Sequence, residues 1–117
     1  MKKVFAVVLL AFFLLSFSAC TSLNNPREAA VLDALKFRNG TAVKLTGEIT
    51  SFLLFEYYLF SDGTDSISLE VNAETWETIG VADPAELRFP ARYEVVGKID
   101  KRPNEEALVN VVRIRRL

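Results

Sequence analysis

Few side chains in this sequence can carry chemistry. There is no histidine and a single cysteine, Cys20, so the commonest general base and metal ligand is missing and the thiol has no disulfide partner within the chain. The carboxylates of Glu48, Glu70 and Glu94 fall on outward positions of different predicted strands, whereas an acid–base pair needs a shared cleft and shifted pKa values. We therefore expect no catalytic residues, no metal and no other cofactor, and a protein that is not an enzyme.

The segment before Cys20 predicts export. Lys2 and Lys3 form a short basic start, and residues 4–15 are apolar without a charge or a proline. This run is shorter than the roughly 20 residues that span a bilayer, and small residues follow it up to Ala19. The pattern is typical of a secretory signal peptide over residues 1–19. A plain transmembrane anchor is the alternative.

The residues at the predicted cleavage site indicate what becomes of the cysteine. Phe17-Ser18-Ala19-Cys20 resembles the lipobox of bacterial lipoproteins, which more often has leucine at the Phe17 position. The resemblance implies lipidation of Cys20 and anchoring to a membrane, where two or more acyl chains hold a protein stably. It also implies a periplasm-facing place in the cell envelope. Thr21, in place of an aspartate, favours the outer membrane if the cell is Gram-negative. A chance cysteine beside an ordinary cleavage site is the alternative.

The remaining chain is large enough for one domain. Removing nineteen of 117 residues leaves 98, and removing Lys2 and Lys3 leaves twelve basic against fifteen acidic residues, a formal charge of −3. Such a charge disfavours contact with a phosphate backbone, so nucleic acid is an unlikely partner. Residues 20–26 are polar and short of large apolar side chains, which predicts a tether. The folded domain is expected over residues 27–117.

Hydrophobic periodicity predicts a mainly β domain. A helical stripe over residues 27–39 predicts an N-terminal helix, and Asn72 is a candidate N-cap for a short helix over residues 73–79. Alternating patterns predict five strands, at residues 43–50, 57–61, 66–71, 93–100 and 108–114. In the last strand the register is open: either Val109 and Val111 or Val112 and Ile114 could face inward, and a bulge would allow both. This order predicts a five-stranded OB-fold-like barrel with the short helix between strands 3 and 4. A sheet with one open edge is the alternative.

The same strands carry a family resemblance. The sequence resembles the bacterial OB-fold family of periplasmic stress-tolerance proteins from about Thr41 to Ile114. The segments that match are Val43-x-Leu45-x-Gly47-x-Ile49, Tyr58-x-Phe60-x-Asp62, Ile67-x-Leu69-x-Val71, Trp76, Val95-x-Gly97-x-Ile99-Asp100-Lys101 and Val109-Asn110-Val111-x-x-Ile114. The chain departs from the family pattern at Asp65, where glycine is usual, and at Asn110, where aspartate is usual. The resemblance implies an OB fold, export and a role in stress tolerance.

The candidate contact site is an apolar run near the first predicted hairpin. Phe52-Leu53-Leu54-Phe55 stands where the family is normally polar, and four apolar residues in a row cannot all face inward from a strand. We expect Phe52, Leu54 and Phe55 to form an exposed patch that touches a partner protein or a lipid. The alternative is that a longer helix or an irregular loop covers them.

For three other sets of residues a functional role is possible, but a purely structural role is favoured. Trp76, Tyr57, Tyr58 and Phe60 could form an aromatic platform of the kind on which OB folds stack bases or sugars, but core packing is favoured.

Arg113, Arg115 and Arg116 could meet anionic lipid headgroups near the anchor, although a solvated strand end is favoured. Asp62 and Asp65 could hold a cation, but two carboxylates are few for calcium, and turn chemistry accounts for them.

The favoured function is a lipid-anchored, non-enzymatic binding module of the cell envelope. It would act in stress tolerance through contacts with an unknown envelope protein or a small ligand. One alternative is an OB-fold binder of nucleic acid or oligosaccharide. Another is a structural lipoprotein that scaffolds an envelope complex.

Overall fold

The structure, a computed structural model, describes residues 22–117. The predicted signal peptide and Cys20 lie outside the described residues. The described elements are β1 (Arg27–Glu28), α1 (Val31–Ala34), β2 (Ala42–Leu54), β3 (Tyr57–Ser61), β4 (Ser66–Glu70), α2 (Ala73–Glu77), a turn of 3-10 helix (Pro84–Glu86), β5 (Ala91–Asp100) and β6 (Leu108–Arg116). None of the helices in this part of the chain is long and apolar enough to cross a bilayer.

The five longer strands form a closed ring of pairings. Their order is β2-β3-β4-β6-β5, and β5 pairs back onto β2. That closing pair is antiparallel and runs from Ala42 opposite Lys98 to Ile49 opposite Ala91, while β4 and β6 pair in parallel. The predicted OB-fold-like arrangement, with a helix between its third and fourth strands, is therefore confirmed. The alternative with an open edge is wrong because β2 is paired on both sides.

The interior is filled by the inward-facing residues of all five strands. Fully buried side chains from β2 to β6 include Leu45, Ile49, Phe60, Leu69, Val95, Ile99 and Val109. Helix α2 contributes Trp76, which is also fully buried. The Asn72 side chain accepts a hydrogen bond of 2.8 Å from the Thr75 N–H and so caps this helix as predicted.

The N-terminal helix is present but much shorter than the prediction over residues 27–39. Arg27 and Glu28 are extended and pair in parallel with Val43 and Lys44 of β2. This pairing takes up backbone groups that a helix start would have left unbonded. Helix α1 is then a single turn that buries Val31 and Ala34. Periodicity identified the apolar residues that are buried, Val31 and Ala34. The predicted start of the helix was wrong because residues 27 and 28 pair with β2 instead.

A bulge settles the register of the last strand. Gly97 pairs with Val111 and Val96 with Arg113, so Val112 has no partner on β5. As a result Val109, Val111 and Ile114 are all buried while Val112 is 44% exposed. The possibility that a bulge brings both halves of the strand inward is confirmed, with Val112 as the residue left outside.

The turn between β3 and β4 caps helix α1. The Asp62 carboxylate accepts hydrogen bonds from the Val31 N–H at 2.9 Å, from the Thr64 N–H at 3.0 Å and from the Thr64 hydroxyl. The Thr64 oxygen in turn accepts from the Leu32 N–H. Turn and cap chemistry thus accounts for Asp62, as the simpler interpretation had it.

These hydrogen bonds make stability depend on pH. Partial burial opposes ionisation of Asp62, but the bonds from Thr64 and Val31 outweigh it, so its pKa lies below the ordinary value of 3.8. A group with a lowered folded-state pKa stabilises the fold above its unfolded pKa, and this contribution is lost as the pH falls through the folded value. We expect Asp62→Asn to lower the free energy of unfolding by about 1 kcal/mol at neutral pH, because the amide nitrogen that replaces one carboxylate oxygen cannot accept a hydrogen bond. The difference from wild type should shrink in acid. Urea denaturation of both proteins across the acid range tests this, and parallel pH profiles would contradict it.

Candidate functional site: an apolar groove beside the first hairpin

Strand β2 carries the apolar run out into solvent. Beyond Ile49 it is paired with β3 alone, because its pairing with β5 ends at Ala91. Phe52, Leu53, Leu54 and Phe55 are 52%, 46%, 59% and 78% exposed. Phe55, at the hairpin turn, has a positive φ of 55°. The exposure predicted for these residues is therefore confirmed, and no helix or loop of the described chain covers them, while their contact with a partner stays a prediction.

The tip forms one wall of a groove of about 560 Å³, which we call the hairpin groove. Phe52 and Phe55 line it from the hairpin, and Leu87 and Phe89 line it from the segment that leads into β5. Tyr58 and Val71 form its inner surface. A concave, largely apolar site of this size is typical of ligand pockets.

A chain of aromatic rings joins the groove to the core. The rings of Phe52 and Tyr58 meet edge to face with centroids 5.5 Å apart, and Tyr58 meets Trp76 at 5.4 Å. Phe89 approaches Tyr58 from the other side at 6.0 Å, and Trp76 continues to Tyr93 at 5.7 Å. Edge-to-face geometry at these separations is favourable. The inner wall of the groove is thus fixed by the core.

Tyr58 is held by a polar contact as well. Its hydroxyl accepts a hydrogen bond of 3.1 Å from the Trp76 Nε1–H. Burial raises the pKa of Tyr58 more than the bond with Trp76 lowers it, so the phenol stays neutral at physiological pH. The site therefore offers a rigid apolar surface and no ionised nucleophile on its inner wall.

The charges at the groove are all negative. Glu56 and Asp83 line it, and no lysine or arginine is among its lining residues. The Asp83 carboxylate accepts a hydrogen bond of 3.0 Å from the Ala85 N–H, which fixes its position at the rim. An apolar groove with a carboxylate rim suits an apolar segment that carries basic groups.

Among residues 22–117, no group of three or more Cys, Asp or Glu side chains is placed to hold a metal ion.

The structure brings together two of the three predicted contact residues. Phe52 and Phe55 line the hairpin groove, whereas Leu54 is exposed at the tip but lies outside the lining. The prediction missed Leu87 and Phe89, although their apolar-polar-apolar spacing within an irregular segment was a usable signal. It also missed the rim carboxylates, because nothing local in the sequence pairs residue 56 with residue 83.

The aromatic residues belong to the core rather than to a stacking platform. Trp76 and Phe60 are fully buried and Tyr58 is 2% exposed. The core interpretation is confirmed for these three, which therefore do not form a platform, whereas Tyr57 is half-buried and lies outside the core cluster. Only one side of Tyr58 borders the groove.

The fold defines an OB-fold protein, with an exposed apolar groove beside its first hairpin. The chain matches the Bacterial OB fold (BOF) protein family over residues 20–116. It therefore belongs to this family.

Relatives and solved structures agree with this assignment. A protein of uncharacterised function from Haemophilus influenzae is 26% identical over 91 residues, which are 78% of this chain and 70% of the relative. The hypothetical protein ygiW from E. coli is similar in structure, with a TM-score of 0.67 and 26% identity over 78% of this chain and 90% of that one. The telomere capping protein Ten1 of S. pombe shares the fold at a TM-score of 0.55 and 17% identity, covering 79% of this chain and 81% of its own.

Proposed function

We propose that this protein is a non-enzymatic binding module of the bacterial cell envelope, held at a membrane by lipid on Cys20. It captures an apolar, positively charged segment of a partner protein in the hairpin groove. The observation that carries the proposal is the groove itself: four exposed apolar residues in sequence beside a concave surface with a carboxylate rim.

Energetics favour this use of the surface. Fully burying one large apolar side chain contributes about 1.5–3 kcal/mol, and Phe52 and Phe55 are each more than half exposed. Phe52 lies on a strand that is paired with β3, and its neighbour Tyr58 is held by Trp76. Little conformational freedom is then lost on binding, which improves affinity for a given contact area.

The same charges argue against the nucleic-acid alternative. A strand binder needs a basic groove beside its aromatic residues, whereas Glu56 and Asp83 border this one. A phosphate backbone would be repelled here, while lysine or arginine side chains would be attracted.

Photo-crosslinking from position 55 tests the proposal in intact membranes. A photoreactive phenylalanine at Phe55 is expected to crosslink one stoichiometric partner, and mass spectrometry should place the crosslink on an apolar segment with lysine or arginine nearby. The same group at Leu32, which is 44% exposed and far from the hairpin in the chain, is the matched control.

Removal of the apolar surface should abolish the crosslink. Phe52→Ser with Leu54→Ser is expected to reduce the yield at least tenfold, because both side chains are exposed and about 3 kcal/mol of burial is lost. The circular dichroism spectrum should stay unchanged. An undiminished crosslink in this variant, or an equal yield from Leu32, would contradict the groove as the binding site.

A role in stress tolerance is the physiological side of the proposal, and it rests on the resemblance of the strand segments to periplasmic stress-tolerance proteins. Cells without the protein should become sensitive to an oxidant, acid, metal or cationic-peptide challenge. Wild-type protein should restore tolerance, and the Phe52→Ser, Leu54→Ser variant should not. Equal rescue by both proteins would separate the stress role from the groove.

A further inference from the structure

A second surface lies on the outer side of β2, β5 and β6, away from the hairpin. Lys44, Arg113 and Arg115 line a shallow concavity of about 290 Å³ together with Glu94 and Val96. We call this the tether face. Three cations surround one carboxylate there, whereas the chain without its first nineteen residues has three more acidic than basic residues.

Glu94 orders this face without cancelling its charge. Its carboxylate accepts a hydrogen bond of 2.9 Å from the Arg115 guanidinium, and the Lys44 ammonium lies 4.0 Å from its other oxygen. Arg115 keeps 67% of its side chain exposed in this pair. Arg113 is exposed as well. The face therefore presents a net positive, solvent-accessible surface.

One residue of the tether contacts this face. The Arg113 guanidinium donates a hydrogen bond to the Leu23 carbonyl oxygen. Leu23 follows Cys20 by three residues, and three residues span at most about 11 Å. A lipid anchor on Cys20 would therefore hold the Leu23 carbonyl oxygen, and with it the Arg113 guanidinium, within roughly 11 Å of the anchored residue. This distance is close to the Debye length at physiological ionic strength, about 8 Å.

The hairpin groove lies at the opposite end of β2. Lys44 is near the start of this strand and Leu54 is its last residue, ten residues further on. At about 3.3 Å per residue these positions are up to roughly 33 Å apart along the strand. A domain that rests on the tether face would leave the groove at this distance from the docked residues.

We propose that the tether face, through Lys44, Arg113 and Arg115, binds anionic phospholipid headgroups of the leaflet that holds the Cys20 anchor. Docking by this face orients the domain and leaves the hairpin groove, at the far end of β2, outside the docked surface. The inference rests on the proposed lipid anchor. It adds a lipid ligand and an orientation that the anchor alone does not provide.

Thiol protection in vesicles tests the proposal with the lipidated full-length protein. Lipidation blocks the thiol of Cys20, so Val112→Cys adds one free thiol beside Arg113. Its reaction with a membrane-impermeant maleimide is measured in phosphatidylcholine vesicles and in vesicles that also contain phosphatidylglycerol. The expected result is several-fold slower reaction with phosphatidylglycerol, reversed by high salt. A thiol at Leu54 should react at the same rate in both.

Charge removal should abolish the protection. Each lysine or arginine near an anionic surface increases binding about fivefold, so Lys44→Gln and Arg115→Gln together should reduce the docked population by roughly 25-fold. This variant keeps Arg113 and its contact with Leu23. The matched control is Lys36→Gln with Lys101→Gln, two exposed cations outside the face, which should leave protection intact.

The outcomes separate the two proposals. Flotation of the protein with phosphatidylcholine vesicles reports the lipid anchor separately from the maleimide reaction. If the protein floats but the thiol at position 112 reacts equally fast in both kinds of vesicle, headgroup binding by the tether face is wrong and the anchor is not contradicted. Equal loss of protection in the control variant would also overturn headgroup binding by the tether face. Failure to float with neutral vesicles would overturn the anchor, and the docking inference with it.

Discussion

Gly97→Ala is expected to lower the free energy of unfolding by about 3 kcal/mol or more, a typical upper value for forced overpacking. Gly97 lies where β5 pairs with the bulged part of β6. A methyl group there would overlap the backbone carbonyl of Asn110 and crowd the Val109 side chain. Backbone atoms of a paired strand cannot move aside as a flexible side chain can, so β5 and β6 would separate locally.

Gly80→Ala is the matched control for this prediction. Gly80 has a φ of +83° but open space around it, so alanine there meets only the backbone strain of the left-handed region, about 1–2 kcal/mol. Urea denaturation followed by far-ultraviolet circular dichroism should rank Gly97→Ala as clearly the more damaging change. An equal or smaller effect at Gly97 would show that the β5–β6 contact is looser than the structure gives it.

Trp76→Ala is expected to cost about 4 kcal/mol, in the range for a large buried aromatic residue. Trp76 is fully buried and meets the rings of both Tyr58 and Tyr93. Its removal leaves a cavity between α2 and the strands and takes away the donor that holds the Tyr58 hydroxyl. Since Tyr58 forms the inner wall of the groove, partner crosslinking from Phe55 should fall together with stability.

Trp76→Phe separates the two effects. Phenylalanine keeps an aromatic ring in the site but cannot donate to Tyr58, so we expect a loss of about 1–3 kcal/mol and a partly retained crosslink. Thermal and urea unfolding of both variants gives the comparison. A Trp76→Ala protein as stable as the phenylalanine variant would show that the ring contacts add little to the fold.

The strand pattern could be predicted from sequence because burial alternates cleanly there. Tyr57–Ser61 forms a strand over the residues that were predicted, since period-two alternation and the turn at Asp62 agree. The same consistency located α2 and its Asn72 cap. In the last strand, alternation alone left two registers open, because an unpaired Val112 shifts the phase within one strand.

The local sequence does not show which distant segments pair with or pack against one another. Nothing near Arg27 indicates that it will pair with Val43 rather than begin a helix. The partners of the hairpin tip are equally remote, since Leu87 and Phe89 are more than thirty residues from Phe52 in the chain. Composition showed that the apolar run could not be wholly buried. Only the folded arrangement shows which surface it borders and what charge surrounds it.

The ring contacts from Phe52 through Tyr58 to Trp76 give this protein an optical probe of its own. Trp76 is the single tryptophan of the chain and stands two rings behind the solvent-facing edge of the groove. Its indole emission senses the field and motion of Tyr58, which an occupant of the groove would touch. Titration of a candidate peptide could thus be followed by intrinsic fluorescence, without a dye and without altering a single residue.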